Sequence, residues 1–419
     1  MIALSVGIMV ESFDFGLYGF SATAIASTFF PAGNDKLALL GTFAVFAVSF
    51  LARPLGGLVL GRLGDHAGRR SALSASIVVM GMATIAIGLI PGYGSIGVAA
   101  PVLLVVCRLV QGFAASGEVA GATTYIAEAA PAHRRGFWTN VVAAFPSFGT
   151  AAGTVLVLVF KINPDTYAGG GWRWPFIIGG LIAVGGLYLR LRLKEPEVFQ
   201  EVQAERPKNR LRLRTMFREH YRGMLLLVTF YALVGIGFQT VAGYMPTFMS
   251  KVGGIGSVTA LVISIFAFLA FGSTLMVIGH LSDRYGRKPF IIGGTLGLAV
   301  VTVPAYLMIS GGNLVWICVA QALLILPLAV TQAGGNIGNL EVFPASVRFT
   351  SFAFSYAVAY AIFAGTAPLI EDLLTETAGP LGPAFYGVLI AVIALAVLAK
   401  AYPESRSFSI KTGRPEADD

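Results

Sequence analysis

Five charged side chains lie inside long apolar stretches in the first half of this chain. They are Glu11, Asp14, Arg53, Arg108 and Glu118. A charge surrounded by hydrocarbon is costly, so such residues usually carry a proton, bind an ion or contact a substrate. Loss of water favours the protonated form of a carboxyl group and a nearby arginine favours the ionised form, a balance that suits proton coupling. We therefore predict that Asp14, Glu118 and Glu11 couple to protons; the alternative is an inert ion pair between helices.

Arg53 and Arg108 are the cations inside these apolar stretches. A guanidinium group can hold a carboxylate through two parallel hydrogen bonds. Helical spacing places Gln111 on the same face as Arg108, and Tyr18 on the same face as Asp14. The pattern predicts that Arg53, Arg108, Gln111 and Tyr18 contact a small substrate that has a carboxylate group.

The apolar stretches of the second half have polar, uncharged side chains where the first half has charges. They are Gln239, Tyr244, Gln332, Asn336, Asn339, Tyr356 and Tyr360. Gln332, Asn336 and Asn339 are spaced i, i+4, i+7 and form one stripe on a helix. Such a stripe can join helices through hydrogen bonds or line a water-filled path. We predict the path, and with it a role for all seven residues in substrate binding.

The composition indicates that these residues belong to a membrane protein. The chain has 419 residues, of which 56% are hydrophobic and 12% charged, whereas soluble domains carry about 25% charged residues. This excludes a soluble enzyme, a disordered protein and a nucleic-acid-binding domain. A helix needs about 20 apolar residues to cross a bilayer, and the apolar runs do not alternate as barrel strands do. The predicted helical spans are 2–30, 37–61, 71–91, 100–128, 136–160, 174–193, 223–250, 257–281, 289–310, 314–341, 349–372 and 381–400.

The basic residues predict the orientation of the spans. Of the 29 Lys and Arg residues, 23 fall in loops on one side, four on the other side and two within spans. Cytoplasmic loops are the ones rich in cations. The sequence therefore predicts a multi-pass protein of the bacterial inner (plasma) membrane with both termini in the cytoplasm, and this topology accounts for the net charge of +8.

The sequence has no motif for a metal, a cofactor or a catalytic reaction. Cys107 and Cys318 are far apart inside apolar runs, so they form neither a disulfide framework nor a metal-ligand spacing. Walker A, zinc-protease and serine-hydrolase motifs do not occur. A G-x-G-x-x-G pattern at 92–97 joins two predicted spans and follows no strand, so it indicates a tight loop and not a dinucleotide site. We predict that the protein is not an enzyme and has no cofactor, and that its coupling ion is H⁺, with Na⁺ as the alternative.

The chain contains an internal repeat. The loops 61–70 and 279–288 share Gly, Leu, Asp, Gly and a basic pair at the same positions. The two copies are separated by six spans, so the halves are parallel repeats related by an axis along the membrane normal. The predicted parts are an N-terminal six-helix bundle (1–193), a cytoplasmic linker (194–222), a C-terminal six-helix bundle (223–400) and a cytoplasmic tail (401–419).

Acidic and basic residues recur together in the predicted cytoplasmic loops. Glu128 and Arg135 in the first half correspond to Glu341 and Arg348 in the second. Acidic residues contribute little to orientation, so we predict a gate that holds the inner side closed; the alternative is that the basic residues only set the topology. The predicted gate residues are Asp65, Arg69, Arg70, Glu128, Arg135, Asp283, Arg287, Lys288, Glu341 and Arg348.

The repeated loop, G-x-L-x-D-x-x-G-R-R/K, resembles the signature of the major facilitator superfamily. Other segments are similar to its metabolite:proton symporter family, whose members carry citrate and other tricarboxylates, 2-oxoglutarate, shikimate, or proline and betaine. These segments are 11–15, 29–31, 53–57, 117–118, 171–176 and 355–358. Segments 42–46 and 244–248 look closest to the citrate/tricarboxylate branch.

The resemblance implies an all-α membrane protein with twelve transmembrane helices in two six-helix parallel pseudo-repeats, which works by alternating access. In the similar sugar porters, an arginine that corresponds to Arg108 pairs with the aspartate of the first span, here Asp14. Depths counted along straight helices from their inner ends separate these two residues. The partner of Asp14, Arg53 or Arg108, therefore stays open in the sequence.

The residues and the resemblance together predict a secondary active transporter. We expect proton-coupled import of a small organic acid such as citrate or another di- or tricarboxylate. The alternatives are proton- or sodium-coupled uptake of a zwitterionic osmolyte such as proline or betaine, and a solute receptor that does not transport. The expected partners are a small organic anion and the lipid bilayer, with no nucleic acid, and the functional unit is expected to be a monomer.

Overall fold

The computed structural model describes residues 2–31, 33–57, 59, 69–115, 118–191, 213–406 and 408, and some helical residues in these ranges by their backbone alone. The described chain is built from helices. Among the predicted functional residues, Asp65 lies outside the described residues, and so do the side chains of Arg69, Arg70, Glu118 and Glu128.

The first half of the chain forms helices α1 to α8. Their bounds are α1 (Ile2–Phe20), α2 (Ala22–Phe29), α3 (Asp35–Leu51), α4 (Arg69–Leu89), α5 (Ala99–Ala114), α6 (Glu118–Ala129), α7 (Arg135–Lys161) and α8 (Arg173–Leu191). A short helical segment, 53–57, follows α3. The helices α1–α2 and α5–α6 each occupy one predicted span.

The second half forms helices α9 to α16. Their bounds are α9 (Leu213–Gln239), α10 (Met245–Lys251), α11 (Ser257–Tyr285), α12 (Lys288–Ser310), α13 (Leu314–Glu341), α14 (Ala345–Ala359), α15 (Ala367–Ala378) and α16 (Gly382–Ala401). We call the end of the helices that carries the predicted cytoplasmic loops the inner side, and the opposite end the outer side.

The helices occupy the twelve predicted spans. In the described part of the chain, eight helical segments are long and apolar enough to cross a membrane, and three shorter apolar helices accompany them at 74–89, 99–114 and 173–185. With α1–α2, these account for every predicted span. Large apolar side chains such as Leu89, Val277 and Phe385 are exposed on the outer faces of the helices, as expected for a surface that contacts lipid.

Two boundaries differ from the sequence prediction. Helix α9 begins at Leu213, before the predicted start of the seventh span at 223, so residues 213–222 of the predicted linker are helical. The rest of the predicted linker, 194–212, lies outside the described residues. Their many charges made this stretch look like a loop, but charged residues are good helix formers once a helix leaves the bilayer. The eleventh span continues to Ala378 instead of ending at 372, which adds Glu376 to a helix that already contains Glu371 and Asp372.

Spans 7 and 11 each contain a wide π-helical turn, at Thr240–Tyr244 and Tyr360–Ala364. Each turn precedes a proline near the start of the next helix, Pro246 in α10 and Pro368 in α15. A proline ring clashes with the carbonyl group four residues earlier and supplies no N–H, and that carbonyl lies within each π turn. The same chemistry therefore bends both spans, which lie side by side in the second half.

Close contacts between helices position the charged residues of the first half. A Cβ atom at Gly149 of α7 would lie 2.2 Å from the Met9 carbonyl oxygen, so α1 packs directly on α7. A Cβ atom at Gly112 of α5 would lie 1.7 Å from the Ser49 carbonyl oxygen of α3. Only a residue without a side chain permits such approaches, and they fix α1, α3 and α5 around the buried charges.

The two halves meet along α7 and α11. Near the inner end, a Cβ atom at Gly279 of α11 would lie 2.7 Å from Cβ of Asn140 in α7. Towards the outer end, Gly272 faces the ring of Phe148 in the same way. This interface and the facing surfaces of α1, α9, α13 and α14 enclose the centre of the molecule.

Candidate functional site

The carboxylate of Asp14 lies in a polar cluster inside the first half, between α1, α4 and α5. Its Oδ1 atom is 2.6 Å from Oγ1 of Thr84 and accepts a hydrogen bond of 2.9 Å from Nε2 of Gln111. Nη1 of Arg108 is 3.5 Å from Oδ2 of Asp14 and donates to Oε1 of Gln111 at 2.9 Å. Arg108 is therefore the arginine beside Asp14, a question that the sequence left open.

Depths counted along straight helices separated this pair, but the structure brings the two side chains together.

Aromatic rings complete the surroundings of Arg108, whose side chain is fully buried. Its guanidinium carbon lies 4.3 Å from the ring centre of Tyr18 and 5.1 Å from that of Phe46. Nη2 donates to Oγ of Ser49 at 3.3 Å, and the Tyr18 hydroxyl donates to the Thr42 carbonyl at 3.0 Å. Tyr18, Asp14, Arg108 and Gln111 thus form one layer inside the first half, and none of the four lines the cavity between the two halves.

A cavity lies between the two halves, close to the middle of the spans. It offers about 90 Å³ to the centres of water-sized molecules, and one buried water needs roughly 10–15 Å³ on that measure. The space therefore suits several waters or one small solute. Seven of the predicted residues line it. They are Glu11, Arg53, Gln239, Gln332, Asn336, Tyr356 and Tyr360.

Glu11 and Arg53 are the charged residues in the described lining of this cavity, and they form an ion pair. Nη2 of Arg53 donates to Oε1 of Glu11 at 2.8 Å, and both side chains are almost fully buried. The guanidinium carbon of Arg53 lies 4.7 Å from the ring centre of Phe50 and 5.8 Å from that of Tyr360. The described lining is therefore electrically balanced, with one charge of each sign.

Aromatic rings from the second half form the wall opposite this ion pair. The rings of Tyr356 and Tyr360 stack with centres 4.2 Å apart, and Tyr231 meets the edge of Tyr356 at 5.1 Å. The sequence analysis missed Tyr231. A signal was available, because Tyr231 lies two turns before Gln239 on the same face of α9.

The remaining polar residues of the second half lie towards the two ends of the cavity. Nδ2 of Asn336 donates to Oδ1 of Asn140 in the first half at 2.8 Å. Asn339 lies nearer the inner side, where its Oδ1 accepts a bond of 3.0 Å from the Tyr402 hydroxyl. The Tyr244 hydroxyl is 2.6 Å from Oγ1 of Thr375 near the outer side. Neither Asn339 nor Tyr244 lines the cavity.

At the inner side, Asp283 joins the two halves. Its carboxylate accepts hydrogen bonds of 2.8 Å from the backbone N–H groups of Gly136 and Phe137, in the first turn of α7. A carboxylate is well placed there, because the first N–H groups of a helix have no partner within it and carry positive partial charge. The side chain of Asp283 also accepts from Nη1 of Arg287 at 2.9 Å. The sequence analysis predicted a gate made by charged side chains. The contact that Asp283 makes with the first half is instead to the N-terminal end of α7.

Arg287 links Asp283 to Glu341, with Nη2 3.4 Å from Oε1 of Glu341. Burial lowers the pKa of the Arg287 guanidinium, but Glu341 and Asp283 raise it more, so the net shift of the pKa is upward. Arg348, one of the predicted gate residues, donates to the carbonyl groups of Leu340 and Phe343 at 2.8 Å. It stabilises the end of α13, where carbonyl groups lack partners in the helix.

The beginning of the predicted tail takes part in this inner layer. Oγ of Ser405 donates to Oε2 of Glu341 at 2.7 Å. The carboxylate of Glu404 accepts from the backbone N–H groups of Arg287 and Lys288 at 2.9–3.0 Å, at the start of α12. Sequence reasoning missed Glu404 and Ser405, because hydropathy marks only where a span ends.

At the outer side, a chain of charges connects the halves. Glu376 of α15 pairs with Lys36 of α3 at 2.5 Å and also with Lys251 of α10. Lys251 pairs in turn with Asp372 at 3.1 Å. Glu376 was missed because the predicted eleventh span stopped at 372, and Asp372 was missed because it stood at the end of that span.

Comparisons with known proteins agree with this architecture. The sequence model described as the Major Facilitator Superfamily matches residues 4–326. A "Putative proline/betaine transporter" of Staphylococcus aureus (strain COL) is 31% identical over 427 residues, which cover 100% of this chain and 91% of the relative. The "Proline/betaine transporter" of Salmonella typhimurium is 33% identical, and that of Escherichia coli (strain K12) 32% identical, each over 100% of this chain and 85% of the relative.

Solved structures share the fold. The crystal structure of a D-xylose-proton symporter superposes with a TM-score of 0.78 and 17% sequence identity, over 99% of this chain and 98% of the other. A partially occluded, inward-open conformation of the E. coli xylose transporter XylE gives the same TM-score over 97% and 98%. These structures confirm the predicted all-α fold, in which twelve helices span the membrane.

Proposed function

The chain belongs to the major facilitator superfamily, and we propose that it is a proton-coupled symporter that imports a small zwitterionic solute of the proline or betaine type. That it is a transporter and not an enzyme confirms the sequence prediction. The names of the relatives support the zwitterion and give no support to citrate or another organic acid, which the sequence analysis favoured. The observation that carries the proposal is the charge balance of the central cavity.

A zwitterion fits a lining that has one charge of each sign. Arg53 can hold the substrate carboxylate through two N–H groups. Glu11 and the faces of Tyr356 and Tyr360 can hold an ammonium group, since aromatic faces attract cations. A tricarboxylate would bring several negative charges to a described lining with one cation, which is already paired. Buried charges that lack partners are costly, so the cavity disfavours that substrate.

The Asp14 cluster can supply the proton site. Oγ1 of Thr84 lies 2.6 Å from Asp14 Oδ1 and 2.9 Å from the Met80 carbonyl oxygen. A hydroxyl group has a single hydrogen and cannot donate to both. When Thr84 donates to the carbonyl, a protonated Asp14 completes the second bond; when the hydroxyl turns to Asp14, the carboxylate can be ionised. Arg108, at 3.5 Å, stabilises the ionised form without a short hydrogen bond.

Alternating access would use the two sets of contacts that join the halves. The bundles 1–193 and 223–400 would rock about the central cavity, as parallel repeats do in transporters. The Asp283 contact would open and close the inner side, and the Lys36–Glu376 contact the outer side. The protein is a multi-pass membrane protein, and we place it in the bacterial inner membrane as a monomer with both termini in the cytoplasm.

Uptake by purified protein in proteoliposomes tests this function. Labelled proline, glycine betaine and citrate are supplied in turn, with a pH gradient or a sodium gradient imposed separately. We expect accumulation of proline or betaine that depends on the pH gradient and is abolished by a protonophore. Accumulation of citrate alone would contradict the substrate class, and uptake driven by sodium alone would contradict the coupling ion.

A further inference from the structure

The second half contains a buried carboxylate that no part of the proposed mechanism uses. Glu371 of α15 is 2% exposed. It borders a small cavity of about 50 Å³, enclosed by α9, α12, α13, α15 and α16. Most of the lining is apolar, with side chains such as Leu233, Leu324 and Leu328. A carboxyl group in such surroundings is rare in a membrane span and usually functional.

Glu371 has one hydrogen-bond partner in the described part of the chain. Its Oε1 atom is close to Oγ1 of Thr240, the first residue of the π turn in span 7, while Oε2 has no partner there. Oγ1 of Thr240 also lies 2.9 Å from the Ile236 carbonyl oxygen, one helical turn earlier. A hydroxyl has one hydrogen, so it cannot donate to both oxygens. If it donates to Ile236, the hydrogen between Thr240 and Glu371 belongs to the carboxyl group.

The groups around Glu371 favour the protonated form of its side chain. The titratable groups that face it from other helices are the hydroxyls of Tyr244, Tyr306 and Tyr386. No described cation pairs with it. On its own helix, Asp372 pairs with Lys251 instead. An ionised carboxylate without a cation is costly in an apolar cavity.

Two further charged groups lie near α15 on its outer side. Glu376 is the next acidic residue of the helix, one turn beyond Asp372, and Lys36 approaches it from α3 of the first half. Both belong to the outer chain of ion pairs. In the described part of the chain Lys36 pairs with Glu376 and not with Glu371.

We propose that Glu371 is a second proton-binding residue, situated in the second half and bonded through Thr240 to the π turn of span 7. A metal ion is a poor alternative, because the described residues contain no group of three or more His, Cys, Asp or Glu side chains that could hold one. Protonation adds one hydrogen to the carboxylate, which donates it to Thr240. Deprotonation turns the Thr240 hydroxyl towards Glu371 and breaks its bond to Ile236.

This proton site lies where the outer contacts between the halves are fixed. The π turn that begins at Thr240 packs on the first half, since a Cβ atom at Gly19 of α1 would lie 3.0 Å from the Ala242 carbonyl oxygen. Helix α15 carries Glu376, which pairs with Lys36 of the first half. A change of charge at Glu371 would therefore act on both elements that close the outer side. This link to transport rests on the proposed symport, whereas proton binding itself does not.

Infrared difference spectroscopy of the purified full-length protein tests proton binding directly. A protonated carboxyl group has a carbonyl stretching band that an ionised one lacks. We expect a band that is present at neutral pH, shifts in D₂O and disappears in Glu371→Gln. The matched controls are Asp372→Asn and Glu376→Gln on the same helix, which should keep the band because their partners are lysines.

A second variant keeps the test decisive if Glu371→Gln does not fold. Thr240→Val removes the hydroxyl but keeps the shape of the side chain, so it should move the frequency of the same band. If wild-type protein and Glu371→Gln have identical carboxylic-acid bands, Glu371 is not the proton-binding residue. If Thr240→Val leaves every band in place, the proposed bond from Glu371 to the π turn is overturned.

A transport measurement separates this proposal from the proposed function. Glu371→Gln imitates the protonated residue, so we expect exchange of substrate across the membrane to continue while accumulation driven by a pH gradient is lost. Unchanged accumulation would overturn the coupling role. If wild-type protein shows no pH-driven uptake at all, the proposed symport fails, and the infrared bands still decide whether Glu371 binds a proton.

Discussion

Two buried carboxyl groups, one in each half of the molecule, have the same nearest neighbour. Asp14 contacts Thr84, and Glu371 contacts Thr240. Each threonine also lies 2.9 Å from a carbonyl oxygen one turn earlier in its own helix. Each hydroxyl can therefore serve either its own backbone or the carboxyl group, but not both at once.

The surroundings of the two groups differ in charge. Asp14 has Arg108 and the amide of Gln111 beside it, whereas Glu371 has tyrosines and apolar side chains. An arginine lets a buried carboxylate release its proton, and its absence holds the proton in place. On the two proposals, we expect the first half to exchange a proton beside the central cavity and the second half to keep one until the structure around it changes.

The largest effect is expected from Asp14→Asn. The amide can keep the bonds to Thr84 and Gln111 but cannot bind and release a proton, so gradient-driven accumulation should be abolished while the fold is retained. Uptake in proteoliposomes with an imposed pH gradient measures this, and Asp165→Asn, at an exposed position beyond α7, is the control. Uphill uptake at the wild-type level would show that Asp14 is not the coupling residue.

Arg53→Lys and Arg108→Lys should separate substrate binding from coupling. Arg53 lines the cavity and Arg108 does not. Lysine keeps the charge and loses the planar fork, so Arg53→Lys should weaken substrate binding by about tenfold, or roughly 1.4 kcal/mol. Calorimetric titration of the purified variants with glycine betaine measures it.

In Arg108→Lys, binding should stay near the wild-type value while accumulation falls. Equal losses of affinity in both variants would contradict the separation of the two layers. Unchanged affinity in both, with lower thermal stability, would make both arginines structural.

Asp283→Asn should shift the balance between conformations by a smaller amount. The carboxylate holds two N–H groups of α7 and one arginine, and an amide oxygen would be a weaker acceptor there. A coupling of 1–3 kcal/mol changes a two-state population about 5–150-fold, and this variant should lie at the low end, with more molecules open at the inner side. Spectroscopic distances across the inner side measure the shift. An unchanged distance distribution would leave these residues as determinants of topology.

The sequence could predict the spans, the superfamily and the charged residues, because burial of apolar side chains and the cost of charge in a bilayer depend on residue type. It could not divide those residues between two layers, because the rotation of each helix follows from its neighbours. Gly112 and Gly149 set the positions of α1, α3 and α5 through contacts that no spacing rule contains. Tyr18 and Arg108 therefore face one another inside the first half rather than the cavity.

The sequence analysis missed other parts of the site, and the reasons are again physical. Asp283 binds the backbone of α7, and a search for opposite charges does not find backbone partners. Glu371 was missed because it lies at the end of the predicted eleventh span, where the acidic residues of α15 lower the hydropathy. In both cases an acidic side chain has partners that the fold supplies and that are not its neighbours in sequence.

The smallest effect is expected at the outer contact, which sharpens the contrast between a buried proton site and an exposed ion pair. Lys36 is 70% exposed and Glu376 18% exposed, and exposed pairs contribute about 0.2–1 kcal/mol. Lys36→Gln should therefore change the rate of uptake by a factor of about 1.4 to about 5. The change should be smaller at high salt, because salt screens the pair. A double-mutant cycle with Glu376→Gln isolates the pair from the other bonds of Glu376. A coupling energy well above that range would mean that the outer charges, and not Glu371 beneath them, determine when the outer side closes.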